Sequence, residues 1–234
     1  VSKPKLLDLF CCEGGAGKGY QDAGFDVTGV DIEPRFAKRY PGAFINADAL
    51  TYLREHGHEY DAISASPPCQ GYTIATSGIT DRGERYPRLI APVREALGQL
   101  DVPWVIENVV GAPLLSPLLL CGTMFGLRAT DDDGTVLRLE RHRLFESNIL
   151  IPSPGPCIHD KTIPVGGVYS GGRSDRWEAK HVRRGGYTPA KHVRAELIGA
   201  DWMTLYGLSQ SIPPAYTEWI GRHLMDAITQ AGAA

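Results

Sequence analysis

The chain has 234 residues, 43% of them apolar, enough for one α/β domain with a small appended lobe. No apolar run approaches the ~20 residues of a membrane span and no charged-then-apolar leader is seen, so a cytoplasmic protein is expected. The net charge of −3 hides an asymmetry, because between His159 and Arg194 eight Lys/Arg stand against three acids, a balance that suits nucleic-acid contact as well as a solvated loop.

In chain order, Lys5-Leu6-Leu7-Asp8-Leu9-Phe10 reads as a buried strand running into a glycine-rich turn, Cys11-Cys12-Glu13-Gly14-Gly15-Ala16-Gly17, and a helix start. Glycines let the backbone approach a ligand, and the first helical turn presents free N–H groups. Asp31 ends a second apolar run about 20 residues on, where an acid commonly holds ribose hydroxyls. A third strand, Ala43 to Asp48, ends in another acid. Together these residues suggest an adenosine-type cofactor, and the Gly-Lys-Gly ending does not fit a triphosphate loop.

Tyr60 to Ala65 reads as a short buried strand followed by Ser66-Pro67-Pro68-Cys69-Gln70. Each proline fixes φ and pushes its predecessor out of the helical region, so Cys69 sits on a stiff, extended arm beyond a strand end, where open α/β sheets collect ligands. On this segment alone, a nucleophile and a buried structural cysteine are equal readings. Residues 72 to 87 are polar and without apolar period and read as a mobile loop, and Arg88 to Leu100 as a packing helix. Pro103 to Val109 is a further buried strand carrying Glu107 and Asn108. Burial would raise the Glu107 pKa towards neutrality and let it donate a proton.

The leucine-rich stretch from 114 to 127 carries no evident chemistry, and Cys121 reads as core. Asp131 to Gly134 is a turn without a calcium-loop pattern. Glu140 to Phe145 alternates into a strand, which would put Arg141 and Arg143 on one face. Pro152 to Pro156 marks a boundary, and the basic, glycine-spaced segment after it reads as loops with short strands. Cys157, His159, His181 and His192 match no common zinc spacing, and no metal is expected. The five cysteines lack a disulfide framework and suit a reducing compartment. A helix-like stretch, 195 to 204, precedes Ser209-Gln210-Ser211-Ile212-Pro213-Pro214 and a final helix from Ala215 to Ile228.

Pro67-Pro68-Cys69-Gln70 with Glu107-Asn108-Val109 resembles the catalytic pair of the cytosine-C5 DNA methyltransferases, and the resemblance runs through most of the chain. It implies a Rossmann-like methyltransferase sheet with helices on both faces and a small irregular target-recognition lobe. The divisions expected are 1–150 for the catalytic domain, 151–195 for the lobe and 196–234 for a returning C-terminal segment. It further implies S-adenosylmethionine as cofactor, held by Phe10, Gly14, Gly15, Gly17, Asp31, Ile32, Asp48, Ala49, Pro67, Gln210 and Ser211. Cys69 would be the covalent nucleophile and Glu107 the N3 proton donor, with Arg141 and Arg143 matching the family's Arg-x-Arg. The family usually has glycine at Cys12 and a glycine-asparagine pair at Ser209-Gln210. The expected activity is methyl transfer to cytosine C5 in double-stranded DNA by a monomer. An RNA cytosine methyltransferase and a non-catalytic binder of the same fold are the alternatives.

Overall fold

Five apolar segments pair side by side in parallel to form the centre of the molecule, in a computed structural model that describes residues 2–72, 87–169 and 185–232. They are β1 (Lys5–Leu9), β2 (Asp26–Asp31), β3 (Ala43–Asn46), β4 (Ala62–Ala65) and β5 (Trp104–Asn108). Two strands extend the sheet antiparallel to their neighbours, β6 (Leu118–Leu120) and β9 (Arg143–Ser147), giving the order β3-β2-β1-β4-β5-β9-β6. The chain reverses its direction of travel across the sheet between β1 and β4, and the crevice beyond their carboxyl ends is where such sheets bind ligands.

Both faces of the sheet are covered, which explains why its strands read as continuous apolar runs. Leu6 of β1 packs with Tyr20 of helix α1 (Gly15–Asp22) and with Tyr216, Ile220 and Leu224 of the terminal helix (Pro214–Ala231). Its neighbour Leu7 points the other way, into a cluster with Leu53 of α2 (Ala49–His56) and Val93 and Leu97 of α3 (Ile90–Leu97). Arg94 of α3 forks onto the buried Glu146 of β9 through Nε and Nη2 at 2.6 and 2.7 Å, joining that layer to the antiparallel edge.

A second sheet, in the order β11-β10-β8-β7, forms the lobe. Its strands are two or three residues long: β7 (Arg128–Thr130), β8 (Val136–Arg138), β10 (Val165–Gly166) and β11 (Gly186–Tyr187). Two of them precede residue 150, so the lobe draws on chain from both sides of the expected division. Its core joins Leu137 and Val168 to Val193 and Leu197 of α4 (Lys191–Ile198). That helix starts earlier than the expected 195–204 and stops at Ile198 because Gly199 turns left-handed, φ 79°, as its C-cap. A short helix α5 (Leu205–Gln210) and the terminal α6 (Pro214–Ala231) follow.

Other expected elements are corrected in detail. The third strand stops at Asn46 rather than Asp48, because the Asp48 carboxylate caps α2 by accepting from the Thr51 N–H at 2.8 Å. The strand expected from Glu140 starts only at Arg143, so Arg141 lies outside it. The polar loop after Tyr72 falls almost wholly outside the described residues, as do five of the eight cations of the basic stretch. Among the described ones Arg194 is buried, donating to the carbonyls of Pro189 and Tyr169, both at 2.7 Å, and so belongs to the lobe's interior. No helix among the described residues is long and apolar enough to cross a membrane.

Candidate active site

At the end of β1 the chain must turn sharply away from the sheet. Phe10 and Cys12 do this with positive φ, 58° and 49°, and Gly14 follows at 84°. The position where the resembling family has glycine is thus one where a side chain is strained, by roughly 1 kcal/mol or more. The turn is held to β2 by Asp31, whose Oδ2 accepts from the Cys12 N–H at 2.9 Å while Oδ1 accepts from the Glu33 N–H at 3.0 Å. Gly15 is required by close approach, since a Cβ there would lie 2.1 Å from Ser211 Oγ.

The end of β4 leads through Pro67 and Pro68 into a single 3₁₀ turn, Cys69–Gly71. The Ser66 N–H donates to Leu9 O at 3.1 Å, and the buried Asn108 amide donates to Pro67 O at 2.8 Å. Asn108 thereby fixes the proline arm from the end of β5 and leaves Cys69 half-buried beside Glu107. The acid-amide pair divides its work: the amide positions the arm and the carboxyl faces the cavity.

A cavity of about 440 Å³ opens at these strand ends, within the ~300–1,000 Å³ usual for small-molecule sites. Of the expected residues, Phe10, Asp31, Ile32, Asp48 and Ala49 line one end. Pro67, Cys69, Glu107, Arg143 and Gln210 line it too. A smaller cavity of about 30 Å³ shares Phe10 and Gln210 with it and is lined by Gly15 and Ser211. Gly14, Gly17 and Arg141 line neither: Gly14 packs on Pro41, and a Cβ on Gly17 would meet the Tyr40 hydroxyl.

The two arginines are separated rather than aligned. Arg143 Nε stands 3.0 Å from Glu107 Oε1. Arg141 turns the other way and donates to the carbonyls of Ser211 (2.8 Å), Ser209 (2.6 Å) and Val168 (3.2 Å). Its guanidinium is satisfied by backbone, so it holds the Ser209–Ser211 segment against the site. Burial pushes the Glu107 carboxyl above the ordinary carboxylate range, and the charges of Arg143 and Arg141 oppose that rise. Burial likewise raises the Cys69 thiol; a charge on Glu107 adds to the rise, and Arg143 and then Arg141 counter it. Asp31 is raised by burial, whereas Asp48 is lowered by its cap bonds to Thr51.

Three cavity residues carried no signal in the sequence. Phe36 and Tyr206 stack with centroids 6.2 Å apart, and the Arg35 guanidinium lies 5.0 and 4.9 Å from their rings. Ile32, 67% exposed, adds apolar surface at the same end. Glu13 was also missed: its carboxylate accepts from the Thr204 N–H and hydroxyl at 2.7 and 2.6 Å, tying the glycine turn to the C-terminal segment.

No family model matches the chain. Among curated proteins it is similar to the type II methyltransferase M.FnuDI of Fusobacterium nucleatum, 30% identical over 115 residues, 46% of this chain and 33% of that protein. It is also similar to the type II methyltransferase M.AgeI of Thalassovita gelatinovora, 28% identical over 123 residues, 46% of this chain and 28% of that one. The matched segment thus spans about a third of the length of these relatives. Among solved structures, a DNA modification methyltransferase encoded within an E. coli prophage superposes with a TM-score of 0.60 at 16% identity, covering 97% of this chain and 99% of that one. The Dnmt2 methyltransferase of S. pombe superposes with a TM-score of 0.59 at 12% identity and the same coverage. The chain thus has the fold of these two solved methyltransferases, and it shares sequence with two type II methyltransferases over 46% of its length.

Proposed function

We propose that the chain transfers a methyl group from S-adenosylmethionine to C5 of a cytosine in DNA, through a covalent intermediate on Cys69. The observation that carries this reading is the single cavity that holds a rigidly mounted thiol and a buried, arginine-paired carboxyl at one end and Asp31, Asp48 and Ile32 at the other. Asp31, Asp48, Ile32 and Phe36 would hold the adenosine part, and Gly15 and Ser211 the methionine part. When bound, this donor supplies an electrophilic methyl group.

Cytosine C5 is a weak nucleophile, and Cys69 and Glu107 together change that. The Cys69 thiolate forms a bond to C6 while Glu107 delivers a proton to N3, so that the ring electron pair becomes available at C5. Methyl transfer then forms the C5–methyl bond and breaks the sulfur–methyl bond of the donor. Loss of the C5 proton to water and of the Cys69–C6 bond, with return of the N3 proton to the Glu107 carboxylate, restores the ring, the thiolate and the acid. Arg143 holds the Glu107 carboxyl towards the cavity. A base inside a duplex cannot reach a cavity at strand ends, so the target must be flipped out. The likeness to the prophage DNA modification methyltransferase favours DNA over RNA.

Trapping on a duplex containing 5-fluorocytosine, with S-adenosylmethionine present, tests this directly, because fluorine at C5 blocks the final elimination. The expected result is a denaturant-resistant adduct that carries one added methyl and is lost in Cys69→Ala. An adduct on RNA alone would transfer the reading to RNA. Methylation by Cys69→Ala near the wild-type rate would overturn the covalent mechanism.

A further inference from the structure

Outside the cavity, four side chains from three separate segments converge: Cys121 after β6, His142 before β9, and Cys157 and His159 beyond the Pro152–Pro156 turn. Their ligand atoms all lie within 4.8 Å of one another. We propose that Cys121, His142, Cys157 and His159 form a closed, tetrahedral site for a divalent zinc-class ion that fastens the root of the lobe to the antiparallel edge of the main sheet.

The distances fit that chemistry. Zinc bonds of about 2.3 Å to sulfur and about 2.0–2.1 Å to nitrogen place tetrahedral sulfur and nitrogen ligands roughly 3.6 Å apart. Cys121 Sγ lies 3.5 Å from His159 Nε2, Cys157 Sγ lies 3.3 Å from His142 Nε2, and Cys157 Sγ lies 3.1 Å from His159 Nε2. Small outward shifts of the two shorter pairs open the centre to an ion. The imidazole rings stand 5.1 Å apart, centroid to centroid, with both Nε2 atoms directed at sulfur.

A surrounding shell orients the ligands. His159 Nδ1 stands 3.5 Å from Glu140 Oε1, a carboxylate behind a histidine that favours the tautomer with Nε2 free to ligate. Glu140 is itself held by Arg138, whose Nε and Nη2 lie 3.0 and 2.5 Å from the same oxygen. Cys121 Sγ lies 3.0 Å from Glu140 O and 3.2 Å from Thr123 Oγ1. Binding would displace one proton from each thiol, leaving two thiolates and two neutral imidazoles around the ion with no net charge. Four protein ligands leave no open position, so the site is structural rather than catalytic.

Its position gives it a consequence for the rest of the molecule. His142 lies between Arg141 and Arg143, so an ion here would fix the backbone that aims one arginine at Ser209–Ser211 and the other at Glu107. The spacing hid it: the Cys157-x-His159 pair has its partners 15 or more residues upstream on other elements. Of the other histidines in that stretch, His192 pairs with Asp132 at 2.9 Å, and His181 lies outside the described residues.

The test is elemental analysis of tag-free protein made in zinc-supplemented medium, with the cobalt(II) spectrum of reduced, chelator-stripped protein as a second measure. One zinc per chain is expected, falling to near zero in Cys157→Ser and kept in full by Cys69→Ser. Cobalt should give the intense visible bands of a tetrahedral thiolate site in the wild type, a measurement that stands even if Cys157→Ser fails to fold. Zinc-free wild type without a cobalt spectrum, or full metal content in Cys157→Ser, would overturn the proposal. Neither measurement depends on methyl transfer, so the site stands or falls apart from the catalytic reading.

Discussion

Arg143 Nε meets Glu107 Oε1 at 3.0 Å across two antiparallel strands. Glu107 is opposite Phe145, so Arg143, two residues before it, is the diagonal neighbour on the same face, within reach of a long side chain. The pair is therefore fixed by strand register, and it sets the electrostatics of the thiol beside it.

That coupling gives opposite shifts for two variants. A charged Glu107 raises the Cys69 thiol and Arg143 lowers it. Glu107→Gln should move the pH midpoint of Cys69 alkylation down, and Arg143→Gln should move it up, as read by peptide mass mapping after iodoacetamide treatment. Methyl transfer by Glu107→Gln should fall by about 10²–10⁴-fold, the usual share of a general acid. Midpoints that move together, or not at all, would separate Cys69 from this pair.

Arg141 carries a different prediction, because its three bonds end on backbone carbonyls. Arg141→Ala would strand these acceptors in a buried place, at a cost of about 1–3 kcal/mol for a group left unpaired. A lower urea midpoint and weaker donor binding should result, with the Cys69 alkylation profile changed far less than in Arg143→Gln. Unchanged stability would show that water replaces the guanidinium.

Much of this was legible from residue pattern. The runs around Leu6, Val30, Ile63 and Ile106 read as strands because each is buried on both faces, and Pro67-Pro68-Cys69 with Glu107-Asn108 marked the strand ends that form the cavity. The role of Asn108 was not legible, since its partner is a backbone carbonyl 41 residues away. Arg141 was misplaced because alternation treats Glu140 to Phe145 as one strand, while pairing with β6 begins only at Arg143. The short strands of the lobe have no period to detect. Phe36 and Tyr206 stack across 170 residues of chain, and four metal-ligating side chains on three segments have no common spacing.

Asp8 supplies a stability prediction. It is fully buried on β1, its Oδ2 accepts from the Tyr40 hydroxyl at 2.9 Å, and its Oδ1 has no partner among the described residues. Burial raises its carboxyl from 3.8 to about 7, against the lowering effect of the Tyr40 bond. The folded chain therefore keeps a proton that the unfolded chain releases as pH climbs from 3.8 towards 7. Stability from this group is greatest below 3.8, falls through that window and is flat above it, a loss on the order of a few kcal/mol. Asp8→Asn keeps an acceptor for Tyr40 and removes the charge. Its melting temperature should exceed the wild type's at pH 8, and the gap should close as pH approaches 4. A gap that is independent of pH would mean that Asp8 stays ionised in the folded protein, balanced by a partner in the crevice.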